Sequence, residues 1–137
     1  MPKFSQKSLD LLSQCHPDLQ FIFKMDIEFY DCTILPESIR TKEQQAQFLA
    51  EGKSKTLNSM HLKRFFPEYN QEFSCAVDAT PYPINFNNRE EHFLFTGRIL
   101  ATADRLFKEG KISHRIQWGG RWKIGEGDLV HFELILD

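Results

Sequence analysis

No stretch of this sequence stays apolar for the roughly 20 residues that a bilayer-crossing helix needs, so no membrane insertion is expected. Cysteine is scarce and odd in number: Cys15, Cys32 and Cys75, with no CxxC spacing. That excludes a disulfide framework and leaves reduced thiols in a cytosolic protein as the simplest reading. An excess of one charge is missing too. Lys and Arg total 17 against 19 Asp and Glu, a formal charge of -2. Nucleic acid, whose binders carry a basic patch, is therefore not an expected partner, and neither is acidic phospholipid. The N-terminal stretch MPKFSQKSLDLLSQCHPDL has no uninterrupted apolar core and does not read as a secretory signal. If the protein acts outside the cytoplasm, something else must release it. There is no repeat, low-complexity tract or linker, so residues 1–137 read as a single domain with one core.

What the sequence does contain is well-punctuated secondary structure. Residues 4–30 read as helical with a break at His16-Pro17, and the second part is apolar enough to be a buried helix. CTILPES reads as a short strand ended by Pro36. Thr41 is an N-cap with Gln44 three residues on and Gly52 as the stop. Residues 56–74, polar and aromatic and broken by Pro67, read as irregular. CAVDA reads as a short buried strand. The longest helix runs from the Asn88 cap, with Glu91 completing the box, to Gly110. SHRIQWGGRW reads as a strand entering a glycine turn, and the C-terminal segment alternates Val130, Phe132, Leu134 and Leu136 against His131, Glu133 and Ile135. Helices first and short strands later fit an α+β fold, with helices packed on a short, mainly antiparallel sheet.

The chemistry-bearing residues leave two readings open. His16, beside a helix-breaking proline, reads as a surface or cap residue; His92 sits in the first turns of the long helix; His114 opens a strand. His61 and His131 stand in more suggestive surroundings, one on a loop after a capped helix, the other starting a strand with a core face. Asp78 ends CAVD, where a buried carboxylate is costly unless paired or metal-bound. Two His and one Asp suit a catalytic metal with a fourth position left for water. Asp128, three residues before His131, can share that site only from a loop or bulge entering the strand, and Gly125 and Gly127 would ease the bend. There it could take a proton from the attacking water and pass it to a leaving amine. The competing reading is that these are satisfied polar residues on strand faces. GKS at 52–54 lacks the glycine five positions before Gly52 and is not a phosphate loop. Cys75 has no recognisable His partner, and WGGRW works equally as a sugar-stacking platform or as a strand-end turn with packed indoles.

Three motifs in order, S-M-H at Ser59–His61, A-V-D at Ala76–Asp78 and D-L-V-H-F-E at Asp128–Glu133, resemble the zinc peptidases related to D-alanyl-D-alanine carboxypeptidases. The stretches IRTKEQQAQFLAEGKSKT and IQWGGRW extend the resemblance to single-domain phage L-alanyl-D-glutamate endolysins. The resemblance implies His61, Asp78 and His131 as zinc ligands, Asp128 as catalytic base, Arg40 near substrate and oxyanion, and Ser59 in a supporting, substrate-side role. One departure stands out. His61 and Asp78 are seventeen positions apart where the family usually has seven, with Ser74 in place of a glycine, so KRFFPEYNQE looks like an insertion. Phe65, Phe66 and Tyr69 then either line the cleft rim or pack the loop down.

The implied function is a zinc amidase cutting the L-alanyl-D-glutamate bond of bacterial peptidoglycan during phage lysis. It would be a monomer, held in the host cytoplasm until a holin lets it reach the wall. The alternatives are a D-alanyl-D-alanine carboxypeptidase or dipeptidase on the same fold, and a non-catalytic zinc-containing wall-binding module. Asp128 argues against the last, since a binding module has no need of a proton shuttle.

Overall fold

The computed structural model describes residues 2–54, 56, 58–122 and 128–136. Gly125 and Gly127, expected to form the bend before the last strand, lie outside them. The helices are α1 (Gln6–Leu12), α2 (Pro17–Asp26), α3 (Lys42–Ala50) and α4 (Arg89–Lys108); the strands are β1 (Cys32–Ile34), β2 (Lys63–Phe66), β3 (Gln71–Ser74), β4 (Ala76–Pro81), β5 (Ile116–Trp118) and β6 (His131–Leu134). The fold is α+β, as the order of helical and strand patterns implies.

Local chemistry sets the helix ends. Ser5 caps α1 through the Ser8 amide, and Pro17 occupies the first turn of α2, where its missing N–H costs nothing. Thr41 and Gln44 form a reciprocal capping box on α3, and Asn88 accepts the Glu91 amide at the start of α4. Gly52 and Gly110 follow α3 and α4 at φ 76° and 75°, the left-handed conformation in which only glycine is unstrained.

A four-stranded antiparallel sheet runs β1-β4-β6-β5. Its centre is β4, in which every residue is buried. Helices α2 and α4 cover one face through Leu19, Ile22, Phe23, Phe95, Ile99 and Leu106, which meet Val77, Ala79, Phe132 and Leu134 in one core. Phe132 stands edge-on to both Phe23 and Phe95, an arrangement that adds to simple area burial. The opposite face of β4 and β6 carries Asp78 and His131, paired directly across the ladder.

The stretch expected to be irregular is in part a hairpin. Strands β2 and β3 pair with Lys63 opposite Ser74 and Phe66 opposite Gln71. Pro67, read as a breaker, sits in the turn, where Asn70 adopts φ 50° and its amide reaches the Pro67 carbonyl. The hairpin packs down. Phe66, Tyr69 and Phe73 surround the ring of His16 edge-on, and none of them lines the cleft described below. Phe65 remains exposed. His16 is therefore a cap, as expected, but not a surface residue: it is fully enclosed, and its Nδ1 accepts the Asp18 amide.

Candidate active site

Three polar atoms converge on the open face of the sheet. His61 Nε2 lies 3.0 Å from His131 Nδ1 and 3.2 Å from Asp78 Oδ1, and His131 Nδ1 lies 3.3 Å from the same oxygen. All three side chains are buried. Two come from neighbouring strands and one from a turn. Asp78 sits mid-way along β4, and His131 is its cross-strand partner at the start of β6. His61 follows a tight turn in which Ser59 Oγ accepts the His61 amide, 3.1 Å away.

The protonation pattern around the rings decides what the triangle can hold. His61 Nδ1 faces the Ser38 carbonyl at 3.0 Å, so that nitrogen donates and Nε2 carries the lone pair. His131 Nε2 faces Glu133 Oε1 at 2.6 Å, so it donates and Nδ1 carries the lone pair. Two imine nitrogens and a carboxylate oxygen thus point at one another, an arrangement that repels unless a proton or a cation lies between them. Bonds of about 2.0–2.1 Å to a tetrahedral cation place ligand atoms about 3.3–3.4 Å apart. The observed edges are close to that spacing, and the two-imidazole, one-carboxylate set is typical of a divalent metal with an open position.

The electrostatics agree. Burial works against a charge on Asp78, yet hydrogen bonds from His131 and His61 hold its carboxyl well below the usual carboxylate range. Burial likewise works against a charged His131, but hydrogen bonds to Asp78 and Glu133 outweigh it and raise the ring to about 9. Without a metal, a proton is the cation that the triangle retains.

Asp128 lies in the loop just before β6, as the spacing to His131 required. Its amide donates to the Gly119 carbonyl at 2.9 Å, and its Oδ1 accepts the Val130 amide at 3.3 Å. Burial, and then the charge of Asp78, raises its carboxyl above the ordinary value, which favours proton uptake. Arg40 extends from the loop before α3 to place Nη2 3.7 Å from Asp78 Oδ2, while Nε donates to the Glu37 carbonyl and Nη1 to Gln45 Oε1. Its guanidinium also lies over the Phe48 ring, 4.7 Å from the centroid. Ser59, Arg40, His61, Asp128 and His131 line a cleft of about 770 Å³. Lys53, Ser54 and Asn58 add polar lining, and Phe86, Trp122 and Leu129 add apolar lining.

Two residues that sequence reasoning passed over hold the triangle in place. Ser38 is completely buried. Its carbonyl accepts the hydrogen bond from the His61 ring N–H, and its hydroxyl oxygen accepts the Asp78 amide at 2.8 Å. Only its place after the strand-ending Pro36 hinted at it. Glu133 was visible as the polar partner two residues beyond His131, on the same strand face, but a solvated face explained it equally well.

A second group, His16, Asp18 and His114, also gathers ligand-type atoms. Its chemistry differs. Asp18 Oδ2 already accepts the amides of Ser113 and His114 and the His114 ring at 2.9–3.0 Å. His16 Nδ1 has spent its lone pair on the Asp18 amide and lies 4.0 Å from that carboxylate. This is a latch between the start of α2 and the segment before β5: Asp18 Oδ2 takes all three of these contacts, and the buried His16 Nε2 has no hydrogen-bond partner among the described residues.

A family model described as phage L-alanyl-D-glutamate peptidase matches residues 1–133. The chain belongs to the phage L-alanyl-D-glutamate peptidase family. It is accordingly a peptidoglycan peptidase. Among solved structures, the L-Ala D-Glu endopeptidase ChiX of Serratia marcescens superposes with a TM-score of 0.75 at 21% identity, covering 98% of this chain and 91% of that one. At that identity the likeness speaks for the fold. No curated protein sequence matches the chain. In this member of the phage peptidase family, the long connection between His61 and Asp78 is spent on a hairpin that packs around His16, the N-cap of α2, rather than on the cleft lining.

Proposed function

We propose that this chain is a zinc-dependent endopeptidase that hydrolyses the L-alanyl-D-glutamate bond of the peptidoglycan stem peptide, using His61, Asp78 and His131 as metal ligands. The observation that carries the reading is the triangle of lone pairs with edges of 3.0, 3.2 and 3.3 Å. Zinc, when bound there, supplies Lewis acidity toward the scissile carbonyl and toward water.

The chain's own residues supply the rest. Asp128, with a carboxyl raised by burial, removes a proton from the attacking water and delivers it to the leaving nitrogen of D-glutamate. Arg40 offers positive charge to the oxygen of the tetrahedral intermediate, and its anchoring by Glu37, Gln45 and Asp78 means that little reorganisation is needed during the reaction. Ser59 serves chiefly by shaping the turn that aims His61, and it borders the substrate cleft. Phe86 and Trp122 add aromatic surface to the cleft, with the Trp122 ring 4.9 Å from that of His131.

The single catalytic unit acts as a monomer in phage lysis. It is made in the host cytoplasm and reaches the wall after a holin opens the membrane; no described helix is long and apolar enough to cross a membrane. Digestion of purified peptidoglycan tests the reading. New N-terminal D-glutamate, lost on chelation and restored by zinc, is the expected product. Release of free D-alanine instead would point to the carboxypeptidase alternative.

A further inference from the structure

Glu133 is tied to His131 by the shortest polar contact at the site, 2.6 Å from Oε1 to Nε2. The two residues are two apart on β6, so they share one strand face. The other carboxylate oxygen of Glu133 accepts from Gln117 Nε2 at 2.9 Å, and Gln117 is the residue opposite it on β5. The carboxylate is thereby fixed at both ends: a neighbouring strand holds one oxygen, and the imidazole occupies the other.

We propose that Glu133 is a positioning residue for the metal centre. It acts through His131 to fix which ring nitrogen faces the ion and to raise that nitrogen's donor strength. The inference rests on the zinc reading above. The two histidines are held differently. His61 donates its spare N–H to a neutral carbonyl, that of Ser38. His131 donates to a carboxylate, whose negative charge polarises the ring and strengthens Nδ1 as a ligand. The carboxylate contact also restrains rotation of the ring, which otherwise could present either nitrogen to the cleft. Gln117 extends the support one strand further, to β5, so the sheet edge takes part in aiming the ligand.

Zinc affinity measured by chelator competition is the direct test. Glu133→Ala should weaken binding about 10- to 100-fold. Glu133→Gln, which retains an acceptor of the same shape without the charge, should fall between Ala and wild type. Gln117→Leu should weaken binding less than Glu133→Ala, since it frees the carboxylate without removing it. Melting temperatures of the zinc-free proteins provide the control, because a purely structural cross-strand pair would lower them and leave zinc affinity unchanged. A folded Glu133→Ala protein that binds zinc within twofold of wild type overturns the proposal. If Glu133→Ala does not fold, Glu133→Gln and Gln117→Leu decide it: unchanged affinity in both overturns the role, and graded loss supports it. Failure of the wild-type protein to bind zinc would defeat the parent reading instead, and the two failures are distinguishable.

Discussion

Replacing Gly119 by alanine should cripple turnover while leaving zinc bound. Gly119 follows β5 directly, and a methyl group there would lie 2.6 Å from the Asp128 carbonyl oxygen, 3.0 Å from His131 Cβ and 3.1 Å from Asp128 Cβ. Unstrained contacts of a methyl carbon begin near 3.5 Å, so the Asp128 backbone must retreat by roughly 0.9 Å. The obstacle is main chain rather than a flexible side-chain tip. It is also tethered: the Asp128 amide donates to Gly119 O, and the His131 amide to Asp128 O. Overpacking of this kind costs about 1–3 kcal/mol, which for a domain of this size lowers Tm by about 4–12 °C. The larger effect is on chemistry, because moving a catalytic group by about 1 Å costs on the order of 10²-fold in rate. The assay is the initial rate of amine release from a soluble muropeptide at saturating zinc, with thermal melting and zinc stoichiometry measured on the same protein. The expected result is kcat down about 100-fold, KM little changed and one zinc per chain. A variant with wild-type Tm and kcat within threefold of wild type would refute the reasoning, since the close approach of the two segments would then be irrelevant to the base.

Asp78→Asn should bind zinc more weakly by about 100-fold or more, because it removes the carboxylate charge that both rings contact; retention of tight binding in a competition titration would remove Asp78 from the ligand set. Asp128→Asn should keep zinc and fold yet lose about 10²- to 10⁴-fold in kcat, and full wall-lytic activity in that variant would defeat the proton-shuttle role. Asp18→Ala should destabilise the fold by on the order of 3 kcal/mol, since three N–H donors lose one acceptor; the metal count per chain should stay at one, and a loss of one ion per chain would show the His16 cluster to be a metal site after all. Burial pushes the Cys15 thiol up to about 12 and the Cys75 thiol up to about 11, so the thiolate fraction at pH 8 is far below that of a free cysteine. Alkylation of the folded protein should therefore be slow at pH 8 and accelerate as pH rises toward 11, while the unfolded chain labels at all three positions; rapid native labelling at pH 8 would contradict that burial.

The helix ends were legible because caps are local. Thr41 with Gln44, and Asn88 with Glu91, need only neighbours three residues away. The site triangle was legible only as a list of residue types. Its assembly depends on β4 and β6 pairing across the chain, a contact that no local pattern encodes. The hairpin at 63–74 was missed for a physical reason: its residues do not alternate cleanly between apolar and polar, because β2 is largely exposed and only the end of β3 is buried. Pro67 looked like an interruption when it was in fact the turn. His16 was misjudged as surface because the aromatic side chains that enclose it come from that same hairpin. Glu133 was ambiguous for a different reason, since a charged residue on the outer face of a strand is ordinary until a ring is found beside it.

Two of the three proposed ligands face each other across the β4–β6 ladder, yet 53 residues of chain separate them. A ribosome can therefore complete β4, and even α4, without producing anything able to attack a wall. Competence arrives when the incoming β6 pairs with β4 and sets His131 opposite Asp78. Cleavage that detached that short segment would take His131 from the proposed ligand set and Phe132 and Leu134 from the core together, so the site and the hydrophobic interior would be lost in one cut.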